Sequence, residues 1–374
     1  MRSESTSSPA HRHLSRTGPL TLERNRPTGQ TFPSRHRPCL PAANLPACTA
    51  ESRPLGCSEC LQQTELVTTP SGDDLAFAAR VVGMHGGRAD EVVALPGVVN
   101  RVLRVTGGGQ DWVVRFPVDP RRPNEFPTEI WATHQAIRLG INTPRVLATG
   151  YLDDHPYLVV EYVRPQPDPD TALMWRWLGR YAATLATAPL DEAPEGIFSR
   201  FGRDLPSAWR SHLRYNLNEL SERDPLIDDG VYQPRDRDRI RTLLETLDAA
   251  DFAFGLAHGD LAPRNLIPRP TPSPPFLIDW GTATTGPAPW TDLQRVYVWA
   301  VHDRTISYDA MHHFADAAGL PLGNHETAIL TQLTALRFLD LARWARDQRP
   351  DLYDEYRQSS QHGLRTILRG GVDD

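Results

Sequence analysis

The sequence contains no lysine: all 40 of its basic side chains are arginine, set against 46 acidic ones. Any site that ordinarily relies on a lysine ammonium must use the planar arginine fork or do without a cation. Cysteine is confined to Cys39, Cys48, Cys57 and Cys60. The remaining three hundred or so residues therefore form neither a disulfide scaffold nor a cysteine enzyme. No apolar run approaches the roughly 20 residues that cross a bilayer, which excludes a membrane-spanning helix. An excess of positive charge is missing too. The net charge is −6, so no global field draws the protein onto nucleic-acid phosphates. What is present is length and apolar content. At 374 residues and 40% hydrophobic, the chain can build about two domains with some chain to spare.

Residues 1–65 read as a disordered leader rich in Ser, Pro and Arg, in which eight arginines up to residue 62 face four glutamates. Such a stretch buries too little apolar surface to offset its ordering entropy. It lacks the apolar core of a secretory signal, and its glutamates speak against a transit peptide, so cytoplasmic residence is the expectation. Cys57-x-x-Cys60 has metal-ligand spacing, with His36, Cys39 and Cys48 upstream. A zinc ribbon needs a second close pair, however, and Cys39 and Cys48 are nine apart, which favours incidental thiols.

From about residue 89 the texture changes. Glu91–Leu95, Arg101–Val105 and Trp112–Phe116 are β-rich runs separated by Pro96-Gly97 and Gly107-Gly108-Gly109, and they predict an antiparallel meander. In the third run Val113 and Arg115 share one face, while Trp112, Val114 and Phe116 share the other. The triple glycine follows no helix-start pattern and reads as a hairpin turn. A helix is expected from Glu125 to Leu139, then strands near Arg145–Leu147 and Tyr157–Val163. Beyond the Pro-rich residues 165–169 the period becomes helical. Leu178, Tyr181, Ala182 and Leu185 recur at one helical face, as do Ile240, Leu243, Leu244 and Leu247, and a long pattern runs from Ile329 to Trp344. The organisation expected is a leader (1–65), an N-terminal lobe (66–164) and a C-terminal lobe (165–374).

A polar island interrupts the helical part: His258-Gly-Asp260-Leu-Ala-Pro-Arg-Asn265, then Phe276-Leu-Ile-Asp279-Trp280. Asp260, Asn265 and Asp279 thus fall on short loops beside apolar strand-like runs, where a rigid scaffold presents reactive groups. Phosphoryl transfer asks for this set. Mg²⁺ takes oxygen ligands, the acceptor hydroxyl needs a positioned carboxylate, and the donor phosphates need a fixed positive charge. The competing reading is a polar turn in which Asn and Asp cap neighbouring elements.

The loop and the downstream Ile-Asp-Trp resemble the catalytic loop and metal motif of the aminoglycoside phosphotransferase and choline kinase group, small-molecule relatives of protein kinases. The resemblance spans about residues 89–300. It implies an α+β, two-lobed protein-kinase-like fold, with an antiparallel sheet and one helix in the small lobe and a larger helical lobe. It further implies that Asp260 is the catalytic base, that Asn265 and Asp279 hold Mg²⁺, and that ATP or GTP is the donor. Arg115 matches the phosphate-holding strand position and Glu129 its helix partner; alone, the two would read as a surface ion pair. Gly97 and Asn100 match the hairpin that covers the nucleotide. The Glu161 carbonyl and the Val163 amide match the backbone that meets the base. Asp292 matches a structural aspartate, and His258 reads as a hydrogen-bonding brace of the loop. This sequence departs from the family in the single glycine of Pro96-Gly97-Val-Val and in the Pro-rich run 268–275.

The acceptor pocket has no readable motif. Residues 166–374 carry 22 Arg and 30 Asp plus Glu, a negative balance that suits an aminoglycoside-like or other cationic hydroxyl substrate. A metabolic kinase for a sugar, choline or amino alcohol is the alternative, and a non-catalytic nucleotide-binding module is a second. A protein-kinase role is disfavoured because no Ala-Pro-Glu motif follows Asp279. Neither a nucleic-acid nor a membrane partner is expected.

Overall fold

The computed structural model describes residues 70–97, 99–119, 122–166 and 170–370. The leader and its cysteines, and residues 167–169 of the Pro-rich stretch, lie outside the described residues.

Ser71 opens the first helix, α1 (Gly72–Met84), with a reciprocal capping box to Asp74 that satisfies two otherwise orphaned backbone donors. The periodicity reading had no element here. The signal was a Ser three residues before an Asp at the head of Leu-Ala-Phe-Ala-Ala-Arg-Val-Val. Strands β1 (Glu91–Leu95), β2 (Asn100–Gly107) and β3 (Gln110–Pro117) then form the expected meander. Gly108 and Gly109, at φ of 59° and 79°, make the two-residue β2–β3 turn. Positive φ at both positions costs glycine nothing. Helix α2 (Phe126–Arg138) follows, with β4 (Val146–Leu152) and β5 (His155–Glu161). Strand β4 runs five residues beyond its expected end, because Ala148 to Leu152 pair with β5.

The five strands are antiparallel in the order β1-β2-β3-β5-β4, which puts β3 in the centre. Alternation decides what each face of β3 does. Val114 and Phe116, with Leu103, Val105, Tyr157 and Val159, pack under Ala78, Val81 and Val82 of α1. Arg115 is therefore turned to the opposite face, toward α2.

The C-terminal part is mainly helical: α3 (Thr171–Leu185), α4 (Leu205–Glu219), the short α5 (Pro225–Asp228), α6 (Arg237–Asp248), α7 (Trp290–Tyr297), α8 (Tyr308–Ala317), α9 (Asn324–Gln348) and α10 (Tyr353–Arg369). Leu178, Tyr181, Ala182 and Leu185 are all buried, and so are Ile240, Leu244 and Leu247, while Leu243 is only partly covered. Each fully buried leucine or isoleucine contributes about 1.5–3 kcal/mol of transfer free energy, which is why the helical stripes face inward. Two cores result. One joins α3, α7 and α8 with Trp280 and Leu293, and the other joins α4, α6, α9 and α10. His312 and His313 sit on α8, exposed and half-buried. Among the described residues, no helix is long and apolar enough to cross a membrane.

The polar island lies between short strands: β6 (Phe254–Ala257), β7 (Leu266–Ile267), β8 (Phe276–Leu277) and β9 (Thr284–Pro287). β6 pairs with β9 and β7 with β8, both antiparallel. The Pro-rich 268–275 segment joins β7 to β8 and is anchored from both sides. Pro274 accepts from Asn142 Nδ2 at 2.9 Å, and Pro275 accepts from Tyr181 Oη at 2.7 Å.

Candidate active site

The loop after β6 is held by an aspartate that reaches it from another element. Asp292 on α7 is 1% exposed and accepts from the amides of His258 (3.1 Å) and Gly259 (2.7 Å), one on each carboxylate oxygen. Burial outweighs the opposing pull of the two amides and leaves its carboxyl pushed up to about 7. His258 is fully buried. Its Nε2 lies 3.1 Å from the Ile278 carbonyl, its Nδ1 accepts from the Asp260 amide at 3.3 Å, and its ring sits 4.7 Å from that of Trp280. Burial holds the imidazole pKa below its ordinary value, so it stays neutral with the proton on Nε2. That is the role of a brace. It couples the Asp260 loop to the Asp279 loop, and Thr282 Oγ1 donating to the His258 carbonyl (2.9 Å) is a second tie.

Asp260 is 5% exposed and its carboxylate is surrounded by donors. Asn265 Nδ2 lies 2.9 Å from Oδ2 and 2.8 Å from the Asp260 carbonyl. With its nitrogen committed twice, the amide of Asn265 keeps its oxygen as the atom available to a hard cation. Arg264 Nη2 sits 2.7 Å from both carboxylate oxygens, and Arg295 Nη2 is 3.8 Å from Oδ1. Both guanidiniums lie 5.4 Å from the ring of Trp299. Trp299 belongs to a single π-helical turn, Val298–His302, that continues α7. Such turns are concentrated at functional sites.

Asp279 occupies the left-handed region at φ 66° and ψ 61°, uncommon for a residue with a side chain, and leaves its carboxylate half exposed. Arg115 Nη1 pairs with Glu129 Oε1, and Arg115 Nη2 is 3.6 Å from Asp279 Oδ1, so one guanidinium joins β3, α2 and the Asp279 loop. Burial works against the Arg115 charge, but Glu129 and Asp279 outweigh it and hold the pKa above its ordinary value. Burial raises the Glu129 carboxyl, with Asp279 adding to the shift. The segment between α2 and β4 is tied to the same loop through Trp280 Nε1, which donates to Thr143 Oγ1 at 3.1 Å.

Gly97 sits at the end of β1, where a Cβ would come within 2.5 Å of the Asn100 carbonyl oxygen and 2.7 Å of Val102 Cγ2. Val102 pairs with Arg115, which places this hairpin beside the central arginine. Val98 at its tip lies outside the described residues. Glu161 ends β5 opposite Trp112, with its amide donating to the Arg145 carbonyl (3.0 Å) and its carboxylate 2.6 Å from Arg145 Nε. Val163 follows it by two residues.

The structure thus gathers Arg115, Glu129 and Asp279 into one chain of charges and Asp260 with Asn265 into another, joined through His258. Three participants escaped the sequence reading. Arg264 occupies a variable place inside the loop motif, where spacing says nothing of its direction. Arg295 lies on another element. Glu125, one helical turn before Glu129, has its pKa raised by burial and by Asp279, and it approaches the same loop at Gly281. Its i, i+4 spacing from Glu129 was the available signal. An open recess of about 460 Å³ between α2 and β4, lined by Pro127, Trp131, His134 and Tyr151 among others, contains none of the expected site residues.

Among the described residues no group of three or more His, Cys, Asp or Glu side chains is arranged to hold a metal ion. A Mg²⁺ site does not require one. Magnesium is commonly held by one or two protein oxygens together with phosphates and waters, and an exposed carboxylate with a free amide oxygen fits that demand.

A sequence profile described as "Phosphotransferase enzyme family" matches residues 91–327. Among solved structures, similarity extends to the GDP and kanamycin complex of APH(2")-IIia, at 17% identity and TM-score 0.55, covering 78% of this chain and 98% of that one. The GDP complex of wild-type aminoglycoside 2'-phosphotransferase-IIIa gives 16% and 0.55, covering 79% and 99%. Macrolide 2'-phosphotransferase MphH from Brachybacterium faecium gives 17% and 0.51, covering 80% and 99%. At these identities the likeness establishes the fold, which is the two-lobed kinase-like one expected. The comparison with curated proteins gives no match.

Proposed function

Since the chain belongs to the phosphotransferase enzyme family, we propose that it moves the γ-phosphoryl group of ATP or GTP to a hydroxyl of a small molecule. The observation that carries this reading is the joining of the two charge clusters, Asp260 with Asn265 and Arg115 with Glu129 and Asp279, through neutral His258. Asp260 is the base that orients the acceptor hydroxyl and takes its proton. Asn265 and Asp279 hold Mg²⁺, which when bound neutralises charge on the transferring phosphates. Arg115 presents its fork to the donor phosphates. Glu129 fixes that fork, so that no side-chain ordering remains to be done when nucleotide binds. Gly97 and Asn100 bring the hairpin over the phosphates, and the Glu161 carbonyl and Val163 amide meet the base.

For the acceptor, the acidic excess of residues 166–374 supports an aminoglycoside-like or other cationic substrate. The test is Mg²⁺-dependent ATP and GTP consumption across aminoglycosides, macrolides, choline, sugars and amino alcohols, with Asp260→Asn as control. Turnover confined to aminoglycosides or other amines and lost in the control is the expected result. Turnover confined to neutral sugars would overturn the cationic acceptor. Mg²⁺-nucleotide binding without turnover anywhere in the panel would overturn the enzymatic reading in favour of a binding module.

A further inference from the structure

The catalytic carboxylate is closed. Asp260 shows 6% of its side chain to solvent, and both of its oxygens are taken by one nitrogen, Nη2 of Arg264, at 2.7 Å each. A hydroxyl that is to lose its proton must come within about 2.6–3.2 Å of the same oxygens. Arg264 stands where that hydroxyl has to go. Its own side chain is 54% exposed, so it can leave toward solvent, while the Trp299 ring under its guanidinium, 5.4 Å from the ring centre, steadies it in the capped position.

We propose that Arg264 is a positioning residue that caps Asp260 against water until an acceptor displaces it, which suppresses wasteful hydrolysis of the nucleotide. This rests on Asp260 being the base. In the suppressed reaction a water oxygen would bond to the γ-phosphorus as the bond to the β–γ bridging oxygen breaks. The nucleoside diphosphate would leave with that electron pair, one water proton would pass to Asp260, and the other would stay on inorganic phosphate. Water can do this only when an Asp260 oxygen is free to receive it. A single water gains too little to replace a charge-assisted hydrogen bond, whereas an acceptor held by its own contacts displaces the guanidinium at the expense of part of its affinity.

The experiment compares the parent chain with Arg264→Gln, Arg264→Lys and the double variant Arg264→Gln/Asp260→Asn, with Mg²⁺-ATP and no acceptor. Release of inorganic phosphate should rise about ten- to hundredfold in Arg264→Gln, the equilibrium weight of one hydrogen bond to a charged group. It should stay near the parent value in Arg264→Lys and vanish in the double variant. With acceptor present, Arg264→Gln should lower the acceptor KM by a similar factor while kcat holds. A readout without nucleotide is labelling of the Asp260 carboxyl by a water-soluble carbodiimide and glycine ethyl ester, followed by peptide mass spectrometry, which should increase in Arg264→Gln. Hydrolysis at or below the parent rate in Arg264→Gln, or a rise that survives in the double variant, overturns the cap. Because hydrolysis and labelling need no acceptor, failure of transfer across the panel counts against the proposed function and leaves the cap to its own test.

Discussion

Replacing Asp292 by asparagine changes one atom of a side chain that is 1% exposed, and it should disable the loop that carries Asp260. The carboxylate receives two backbone donors, the Gly259 amide at 2.7 Å and the His258 amide at 3.1 Å. An asparagine has one oxygen. Set on the shorter bond, it leaves its NH₂ pointing at the His258 N–H, so one buried donor loses its partner and meets another donor. An unpaired buried donor costs about 1–3 kcal/mol, and the charge-assisted character of the other bond is lost as well. Removing the charge offsets part of this, because burial disfavours the ionised form and raises the carboxyl to about 7. The net expectation is about 1–3 kcal/mol for Asp292→Asn and about 3–5 kcal/mol for Asp292→Ala, which orphans both amides and opens a cavity. At about 2–4 °C per kcal/mol, the asparagine variant should melt roughly 2–12 °C below the parent. Thermal and urea unfolding at pH 8, where the parent carboxyl is ionised, measure this, with steady-state turnover alongside to register displacement of Asp260. An Asp292→Asn protein that melts within about 1 °C of the parent and turns over normally would show that the two amides do not depend on this carboxylate.

Asp279→Ala should weaken Mg²⁺-dependent nucleotide binding by about tenfold or more, since an exposed carboxylate is the main protein ligand proposed for the metal; calorimetry with and without Mg²⁺ checks it, and unchanged binding removes the role. Glu129→Gln leaves Arg115 in a buried site with Asp279 at 3.6 Å and the weaker pull of Glu125, so stability should fall by about 3 kcal/mol, the low end for a broken buried pair, and nucleotide affinity should fall with it. Gly97→Ala should lower nucleotide affinity more than stability, because its Cβ would push on the Asn100 backbone and distort the hairpin; equal affinity would show that the hairpin does not touch the nucleotide. His302 lies against Phe338 and Tyr297, its ring nitrogens have no hydrogen-bond partner among the described residues, and burial lowers its pKa to about 4. A histidine that resists protonation when folded contributes stability above its unfolded pKa of about 6.5 and loses it as pH falls toward 4, so the parent should lose up to about 2–3 kcal/mol over that window. His302→Phe cannot titrate and should flatten the pH dependence of Tm; parallel curves for the two proteins would refute the assignment.

Local patterns carried far into this fold. Period-2 alternation set Arg115 on the face opposite Trp112, Val114 and Phe116, and in the fold Val114 and Phe116 pack under α1. The triple glycine was legible as a turn because glycine occupies positive φ twice in succession at no steric cost. Helix α1 has no counterpart in the sequence reading, because its capping box and short apolar stripe lie between the leader and the first β-rich run, where no element is expected. The full length of β4 was also missed, since Ala148 to Leu152 gain their strand character from pairing with β5 rather than from their own composition. Type and spacing single out Asp260, Asn265 and Asp279, but not the side chains that reach them. Arg264 looks like filler inside the loop until its guanidinium is seen lying across both Asp260 oxygens.

By itself the sequence determined most element types, the apolar faces and the chemical inventory, with no lysine and with carboxylates on short loops, and its motifs carried the resemblance that implied the fold class. Tertiary structure decided which charges meet. Arg115 lies 14 residues from Glu129 and 164 from Asp279 along the chain, yet one side chain touches both. A carboxylate's role is set by which donors reach it and how much water remains around it. Asp260 lies under Arg264, Asp279 is half exposed and Asp292 is sealed over two amides, so the same residue type stands in three different environments. Those differences arise from burial and direction, which depend on distant segments of the chain and have no local signature.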